Sequence, residues 1–90
     1  MRRRTRLDVL NDMLVAIQKA RGSIKPTHLM YKANLSHKLL SLYLEDLISR
    51  DLVTEEQIDE KHKSILITDK GHDFIMQFRK IKEFQDSFGL

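Results

Sequence analysis

The side chains of this sequence best suited to binding chemistry are cations and short hydrogen-bonding groups. They form two clusters, one of arginines near the start of the chain and one of polar residues beginning at position 36. The clusters are Arg2, Arg3, Arg4 and Arg6, and Ser36, His37, Lys38 and Ser41. Long cationic side chains neutralise phosphates, and short polar groups at the exposed start of a helix read base edges. The two clusters therefore point to a polyanionic partner.

The net charge of +3 is unevenly distributed along the 90 residues. Residues 1–44 carry nine Lys and Arg against two Asp, a net charge of +7. Residues 45–90 carry seven Lys and Arg against eleven Asp and Glu, a net charge of −4. A basic half of this kind is an electrostatic footprint for a polyanion. The alternative interpretation is a solvated surface with a disordered basic tail.

Residues 26–53 predict two helices joined by a tight turn. The first helix is expected at about 27–33 and the second at about 36–50. Asn34 tolerates the left-handed backbone that a sharp turn requires, and Ser36 can accept hydrogen bonds from the first N–H groups of the second helix. Helices joined this closely cross steeply, which is the helix-turn-helix arrangement.

Further elements are expected on both sides of this pair. Helix 1 is predicted from apolar spacings of 3, 4 and 3 at Leu7, Leu10, Leu14 and Ile17. We expect Gly22 to end it as a C-cap and Ile24 to form one rung of a small sheet. Leu52-Val53 and residues 65–67 predict a hairpin around a charged turn at 59–63. Thr68 is expected to cap a last helix that reaches about residue 88.

The predicted fold is mainly α with a small β-hairpin, a winged helix-turn-helix followed by a C-terminal dimerisation helix. We expect a basic arm at 1–6, a winged-helix domain at 7–68 and the C-terminal helix at 69–90. The chain is short enough for only one hydrophobic core, and a dimer interface would add to the apolar surface that it buries.

The sequence resembles the small archaeal winged-helix DNA-binding proteins from Leu7 to about Ile81. The segments that carry the resemblance are Lys25-Pro26-Thr27, residues 30–36 (Met-Tyr-Lys-Ala-Asn-Leu-Ser), Tyr43-Leu44 with Leu47, Asp51-Leu52-Val53, and residues 67–71 (Ile-Thr-Asp-Lys-Gly). The resemblance implies a chromatin-type or regulatory protein. It also implies dimerisation through the last helix as an antiparallel coiled coil.

Candidate contacts to double-stranded DNA come from the arm, helix 2, the start of helix 3 and the hairpin tip. They are Arg2, Arg3, Arg4, Arg6, Thr27, Tyr31, Lys32, Ser36, His37, Lys38, Ser41, Leu42, Lys61, His62 and Lys63. Leu42 suits a thymine methyl group, or alternatively packs under the wing or the arm. Tyr31 is expected to be half-buried, with its hydroxyl at the surface. Glu55, Glu56, Asp59 and Glu60 repel phosphate, so only the tip of the hairpin could help to bind DNA, and the alternative is a merely soluble turn.

The last helix carries an apolar stripe at heptad spacing. Phe74, Phe78, Ile81, Gln85 and Phe88 follow one another at intervals of 4, 3, 4 and 3, with Phe84 on the flank. We expect these six residues to form the interface of a homodimer. The alternative is that the helix folds back on helix 1.

Several classes of protein are disfavoured by the composition. The chain has no cysteine and only three glycines, and its four histidines form no i, i+4 pair. We therefore expect no catalytic residue, no metal, no cofactor and no small-molecule substrate. The longest apolar run, residues 13–17, is too short to cross a membrane, so we expect a cytoplasmic, nucleoid-associated protein.

The sequence predicts a DNA-binding winged-helix homodimer that acts as a transcription regulator or organises chromatin. The alternative is a winged-helix module that docks onto other proteins without binding DNA, which the acidic first wing strand favours. RNA binding fits the basic arm, but the stacking aromatic residues typical of single-strand binders are missing.

Overall fold

The structure, a computed structural model, describes residues 3–90, so Arg2 lies outside the described residues. The elements are α1 (Arg6–Lys19), β1 (Ser23–Ile24), α2 (Pro26–Lys32), α3 (His37–Ser49), β2 (Val53–Gln57), β3 (Lys63–Ile67) and α4 (Asp69–Ser87). Their order is the predicted one, and the winged helix-turn-helix architecture is confirmed. α1 begins at Arg6, so this arginine belongs to the helix and not to an arm.

The three strands form one antiparallel sheet in the order β1-β3-β2. Ser23 lies opposite Leu66 and Ile24 opposite Ile65, which confirms the short rung predicted at Ile24. β2 and β3 pair along their full lengths from Val53 opposite Ile67 to Gln57 opposite Lys63. The hairpin therefore extends from the core as a wing. Val53 and Ile65 are buried at its base, and its tip lies in solvent.

The predicted caps at the helix starts are confirmed. The Ser36 hydroxyl accepts the Leu39 N–H at 3.2 Å, and the Thr68 hydroxyl accepts the Gly71 N–H at 3.0 Å. Thr5 adds a cap that was not predicted, because its hydroxyl and the Asp8 carboxylate satisfy each other's backbone N–H groups. These caps fix where α1, α3 and α4 begin.

Left-handed residues follow the helix ends. Asn34 has the left-handed conformation that was predicted, with φ 56°. At the end of α1 the prediction for Gly22 was wrong by two positions, because Ala20 is the C-cap and Arg21 takes the left-handed conformation with φ 66°. Gly22 comes next and donates its N–H to the Ile17 carbonyl at 2.9 Å. This is the hydrogen bond that a Schellman motif forms across the last turn of a helix.

The core lies between α1, the helix-turn-helix and the sheet. Its fully buried side chains are Met13, Leu14, Ile17, Leu29, Leu47, Val53 and Ile65. Leu7, which was predicted to belong to the core stripe of α1, is 54% exposed. Val9 and Met13 are buried in its place, because the core-facing side of α1 is centred between Met13 and Leu10.

One junction joins the end of α3, the base of the hairpin and the start of α4. The Thr68 hydroxyl donates to the carbonyls of Asp51 and Leu52, at 2.7 and 3.0 Å, while it caps α4. Gly71, in the first turn of α4, approaches so closely that a Cβ atom there would lie 2.7 Å from Ile67 Cγ1 and would overlap the Leu52 carbonyl oxygen. Glycine avoids both overlaps at this position.

α4 runs antiparallel to α1. His72 Nδ1 and Gln18 Nε2 are 2.9 Å apart near one end of the helix pair, and Lys82 Nζ lies 3.4 Å from Asp8 Oδ1 near the other. One face of α4 thus packs against α1, which was the predicted alternative to a dimer interface for this helix. The heptad stripe overlaps this packed face at Phe74 and Phe78, and it is described with the candidate interfaces.

Gly71→Ala should lower the free energy of unfolding by about 1–3 kcal/mol, since the added methyl group meets a backbone carbonyl that cannot rotate away. This direction is opposite to helix propensity, which favours Ala over Gly by about 1 kcal/mol. Urea unfolding followed by circular dichroism measures the change. The neighbouring exposed substitution Lys70→Ala should stay within about 0.5 kcal/mol of wild type. Equal stability of Gly71→Ala and wild type would contradict the close approach.

Candidate nucleic-acid interface

α3 presents the predicted polar residues on its outward side. Leu40, Leu44 and Leu47 are buried and hold the helix on the core, whereas the candidate contacts face solvent. These exposed residues are Ser36, His37, Lys38, Ser41 and Leu42. Leu42 is 55% exposed, so it packs under neither the wing nor the N-terminal segment. The structure therefore brings these five side chains together as one accessible surface.

α2 adds further exposed side chains next to the turn. Thr27 and Lys32 face solvent, as predicted. The prediction that Tyr31 is half-buried was wrong, because it is 72% exposed. α2 has only seven residues, and Leu29 and Met30 provide its buried face. The Tyr31 ring is therefore available to a partner together with its hydroxyl.

Arg4, which was predicted to belong to a free arm, is held against the domain. Arg4 Nη1 donates to the Ala33 carbonyl at 2.8 Å, and Arg4 Nη2 donates to the Asn34 carbonyl at 3.2 Å. Arg4 also pairs with Asp12 at 3.1 Å. This guanidinium thus ties the N-terminal segment to α1 and to the turn of the helix-turn-helix. Arg3 is exposed.

Arg6 makes a second tie, from the first turn of α1 to α3. Its Nε and Nη2 atoms donate to Asp46 Oδ2, and Arg50 Nε donates to Asp46 Oδ1 at 2.8 Å. Hydrogen bonds from Arg6 and then from Arg50 lower the pKa of Asp46, and the Asp46 carboxylate raises the pKa of Arg6. Sequence reasoning missed Asp46 and Arg50, although their i, i+4 spacing on a predicted helix is a known signal for an ion pair.

The wing tip is ordered by one carboxylate. Asp59 Oδ1 accepts the backbone N–H groups of Lys61 and His62 at 2.8 and 2.9 Å and lies 2.8 Å from His62 Nδ1. The Lys61 N–H, followed by the His62 ring, lowers the pKa of Asp59 below its usual value. The Gln57 side chain donates to the Asp59 and His62 carbonyls across the turn. The tip is thus organised before any partner binds.

The three basic residues predicted at the tip differ in position. Lys61 and His62 lie in the turn and are exposed. Lys63 begins β3 and pairs with Glu55 across the hairpin at 3.7 Å, so part of its charge is already compensated. Ile58, which sequence reasoning missed, is an exposed apolar side chain beside the turn. The tip therefore combines the cations of Lys61 and Lys63 with the carboxylates of Asp59 and Glu60 and an exposed apolar side chain.

The heptad stripe of α4 divides into two halves. Phe74 packs against the core and Phe78 is half-buried, with Lys82 Nζ 5.5 Å from its ring centroid. Beyond them Ile81, Phe84 and Phe88 are 57%, 59% and 68% exposed. The rings of Phe84 and Phe88 lie 4.9 Å apart and form one apolar surface. Gln85 is half-buried, and Leu90, which was not predicted, is also exposed.

The fold and the exposed α3 surface define a winged helix-turn-helix protein. The sequence matches the winged helix-turn-helix family over residues 3–86, and the chain belongs to this family. No curated protein sequence gives a significant match. Within residues 3–90, no helix is long and apolar enough to cross a membrane.

Solved structures share this fold at low sequence identity. Sso10a-2, a DNA-binding protein from Sulfolobus solfataricus, is 16% identical with a TM-score of 0.82, and the match covers 94% of this chain and 85% of that one. F93 from STIV, a winged-helix DNA-binding protein, is 16% identical with a TM-score of 0.74 and 92% coverage of both chains. A mutant MarR from E. coli complexed with operator DNA is 22% identical with a TM-score of 0.73, and the match covers 86% of this chain and 55% of that one.

Protonation of Asp59 should release the wing tip at acidic pH. The pKa of Asp59 is lowered in the folded protein, so the stabilisation that its carboxylate gives the folded tip is fully present above the unfolded pKa of about 3.9. This stabilisation is lost as the pH falls through the lower pKa of the folded state. The amide resonances of Lys61 and His62 should report a titration midpoint below about 3.9. Asp59→Asn should abolish this transition, whereas Glu60→Gln should leave it in place. A midpoint at or above about 3.9 would contradict the arrangement.

Proposed function

We propose that this protein binds double-stranded DNA as a homodimer and acts as a transcription regulator or a chromatin-organising protein. The observation that carries the proposal is the outward surface at the start of α3, where Ser36, Lys38 and Ser41 are exposed together. An α-helix fits the major groove of B-DNA, and residues near its N-terminus reach the base edges. We expect a cytoplasmic protein associated with the nucleoid.

Charge and order in the neighbouring elements support this proposal. The net charge of +7 on residues 1–44 falls on the part of the chain that contains α1, α2 and the start of α3. The wing adds Lys61 and His62 on a turn that Asp59 already organises. Since α3 and the wing tip are both ordered in advance, little conformational entropy is lost when they bind.

The structural relatives add a second line of support. Sso10a-2 and F93 are described as DNA-binding proteins, and the MarR mutant is complexed with operator DNA. At this low sequence identity, the likeness supports a shared fold but no individual DNA contact. The proposal for the contacts therefore rests on the exposed α3, α2 and wing residues of this chain.

The distal half of α4 supports the homodimer. A helix of 19 residues is about 28 Å long. α1 covers one face of it, while Ile81, Phe84 and Phe88 stay exposed on another. A contiguous exposed apolar surface marks an interaction site, and heptad spacing favours a second helix as its occupant. A second copy paired about a twofold axis would cover both stripes at once.

Lys38→Glu should weaken binding to a mixed-sequence duplex by about tenfold or more, because a cation at the groove is replaced by an anion. Lys38 is exposed on α3, so the thermal melt should hardly change. Fluorescence anisotropy at several salt concentrations measures the affinity. Lys80→Glu on α4 carries the same charge change and should have a smaller effect. Equal losses for the two variants would mean that α3 does not face the DNA, and absence of salt-dependent binding by wild type would refute the proposed function.

Ile81→Asp combined with Phe88→Asp should convert the dimer to a monomer, since an interface that buries these positions would have to bury unpaired charges. Both side chains are exposed in the single chain, so each protomer should still fold. Met76→Asp is the control, because Met76 is exposed on another side of the same helix. Light scattering gives the mass, and duplex affinity should fall with monomerisation. A wild-type protein with monomer mass at micromolar concentration would contradict the dimer.

A further inference from the structure

Asp46 lies at the centre of a three-residue charge cluster on the flank of α3. Its side chain is 15% exposed, whereas those of Arg6 and Arg50 are 60% and 57% exposed. Asp46 accepts from Nε and Nη2 of Arg6 and from Nε of Arg50. The carboxylate is thus sequestered, while both guanidinium groups face solvent.

The two guanidinium groups keep donors available. Each guanidinium has five N–H groups, and Asp46 accepts only from Nε and Nη2 of Arg6 and from Nε of Arg50. Among the hydrogen bonds within residues 3–90, Nη1 of Arg6 and both terminal nitrogens of Arg50 have no protein acceptor. Two cations and one anion also leave the cluster with a net charge of +1. An anionic oxygen can therefore bind at its outer side.

The cluster continues the outward surface of α3. Lys38, Leu42, Asp46 and Arg50 follow one another at intervals of four residues, a row that winds about 120° around the helix from its outward side to its flank. The row spans about 18 Å from Lys38 to Arg50. A helix lying in the major groove, which is about 12 Å wide, has a phosphate backbone on each side. With α3 lying in the groove as proposed, the far end of this row would face one of these backbones.

We propose that Arg6 and Arg50, held by Asp46, form a binding site for a backbone phosphodiester of duplex DNA. This inference rests on the proposed function. Asp46 is a positioning residue, since it holds guanidinium groups from α1 and α3 side by side. Guanidinium groups bind phosphate oxygens in a bidentate fashion, and groups that are already held lose less entropy on binding.

The competing interpretation is that Asp46 only cancels the charge of its neighbours. The two interpretations predict opposite effects of one substitution, Asp46→Asn, on the affinity for DNA. Asp46→Asn keeps the shape of the side chain and makes the cluster more positive by one charge. If Asp46 only cancels charge, Asp46→Asn should bind DNA more tightly. If Asp46 positions the arginines, the variant should bind more weakly despite its added positive charge.

The experiment measures the affinity of the full-length chain for a mixed-sequence duplex across salt concentrations. We expect Asp46→Asn to lose about threefold to tenfold in affinity, because the two guanidinium groups are no longer held side by side before they bind. Asp73→Asn, an exposed carboxylate of α4, is the control with the same charge change and should not weaken binding. Arg50→Gln should make the slope of log affinity against log salt concentration less steep by about 0.9 per chain, as the loss of one phosphate contact does. Arg50→Lys keeps the charge and should restore most of that slope.

Tighter binding by Asp46→Asn, or an unchanged salt slope in Arg50→Gln, would overturn the inference. If wild type binds DNA and these variants behave like Asp73→Asn, only this site fails and the proposed function stands. If wild type shows no salt-dependent binding, the proposed function itself fails. Circular dichroism monitors folding, because Asp46→Asn also removes a tie between α1 and α3. Should that variant unfold, Arg50→Gln decides the question, since Arg50 is an exposed residue at the end of α3.

Discussion

The contact of the Thr68 hydroxyl with the carbonyls of Asp51 and Leu52 is the constraint on which the other elements depend. It joins the residue that ends the hairpin to the turn that ends α3, and the same hydroxyl caps α4. Three directions are fixed at this one point. They are the projection of the wing, the orientation of α3 and the course of α4 along α1.

Charge is arranged so that the basic residues stabilise the fold and stay accessible. Arg4 connects α1 to the helix-turn-helix turn, and Arg6 connects α1 to α3. Exposed ion pairs contribute little individually, about 0–1 kcal/mol. Their effect here is geometric, because each bridges elements that are distant in sequence. The N-terminal segment is thereby part of the domain that presents α3.

The elements of the fold were predictable because their signals are local. Asn34 and Ser36 marked the turn and the start of α3, and Thr68 marked the start of α4. The outward side of α3 followed from helical periodicity over 13 residues. Tyr31 was misplaced because seven residues are too few to define a buried face. The ties of Arg4 and Arg6 span 29 to 40 positions, and no spacing rule reaches that far.

The central claim is that the start of α3 and the wing tip face duplex DNA while α4 faces a second protomer. An NMR titration of the isotope-labelled protein with a mixed-sequence duplex tests which of these surfaces faces the DNA. The account predicts amide shift changes concentrated at residues 36–42 and 59–62, with the distal stripe at Ile81, Phe84 and Phe88 unaffected. Shift changes centred on that stripe, with residues 36–42 unchanged, would contradict it.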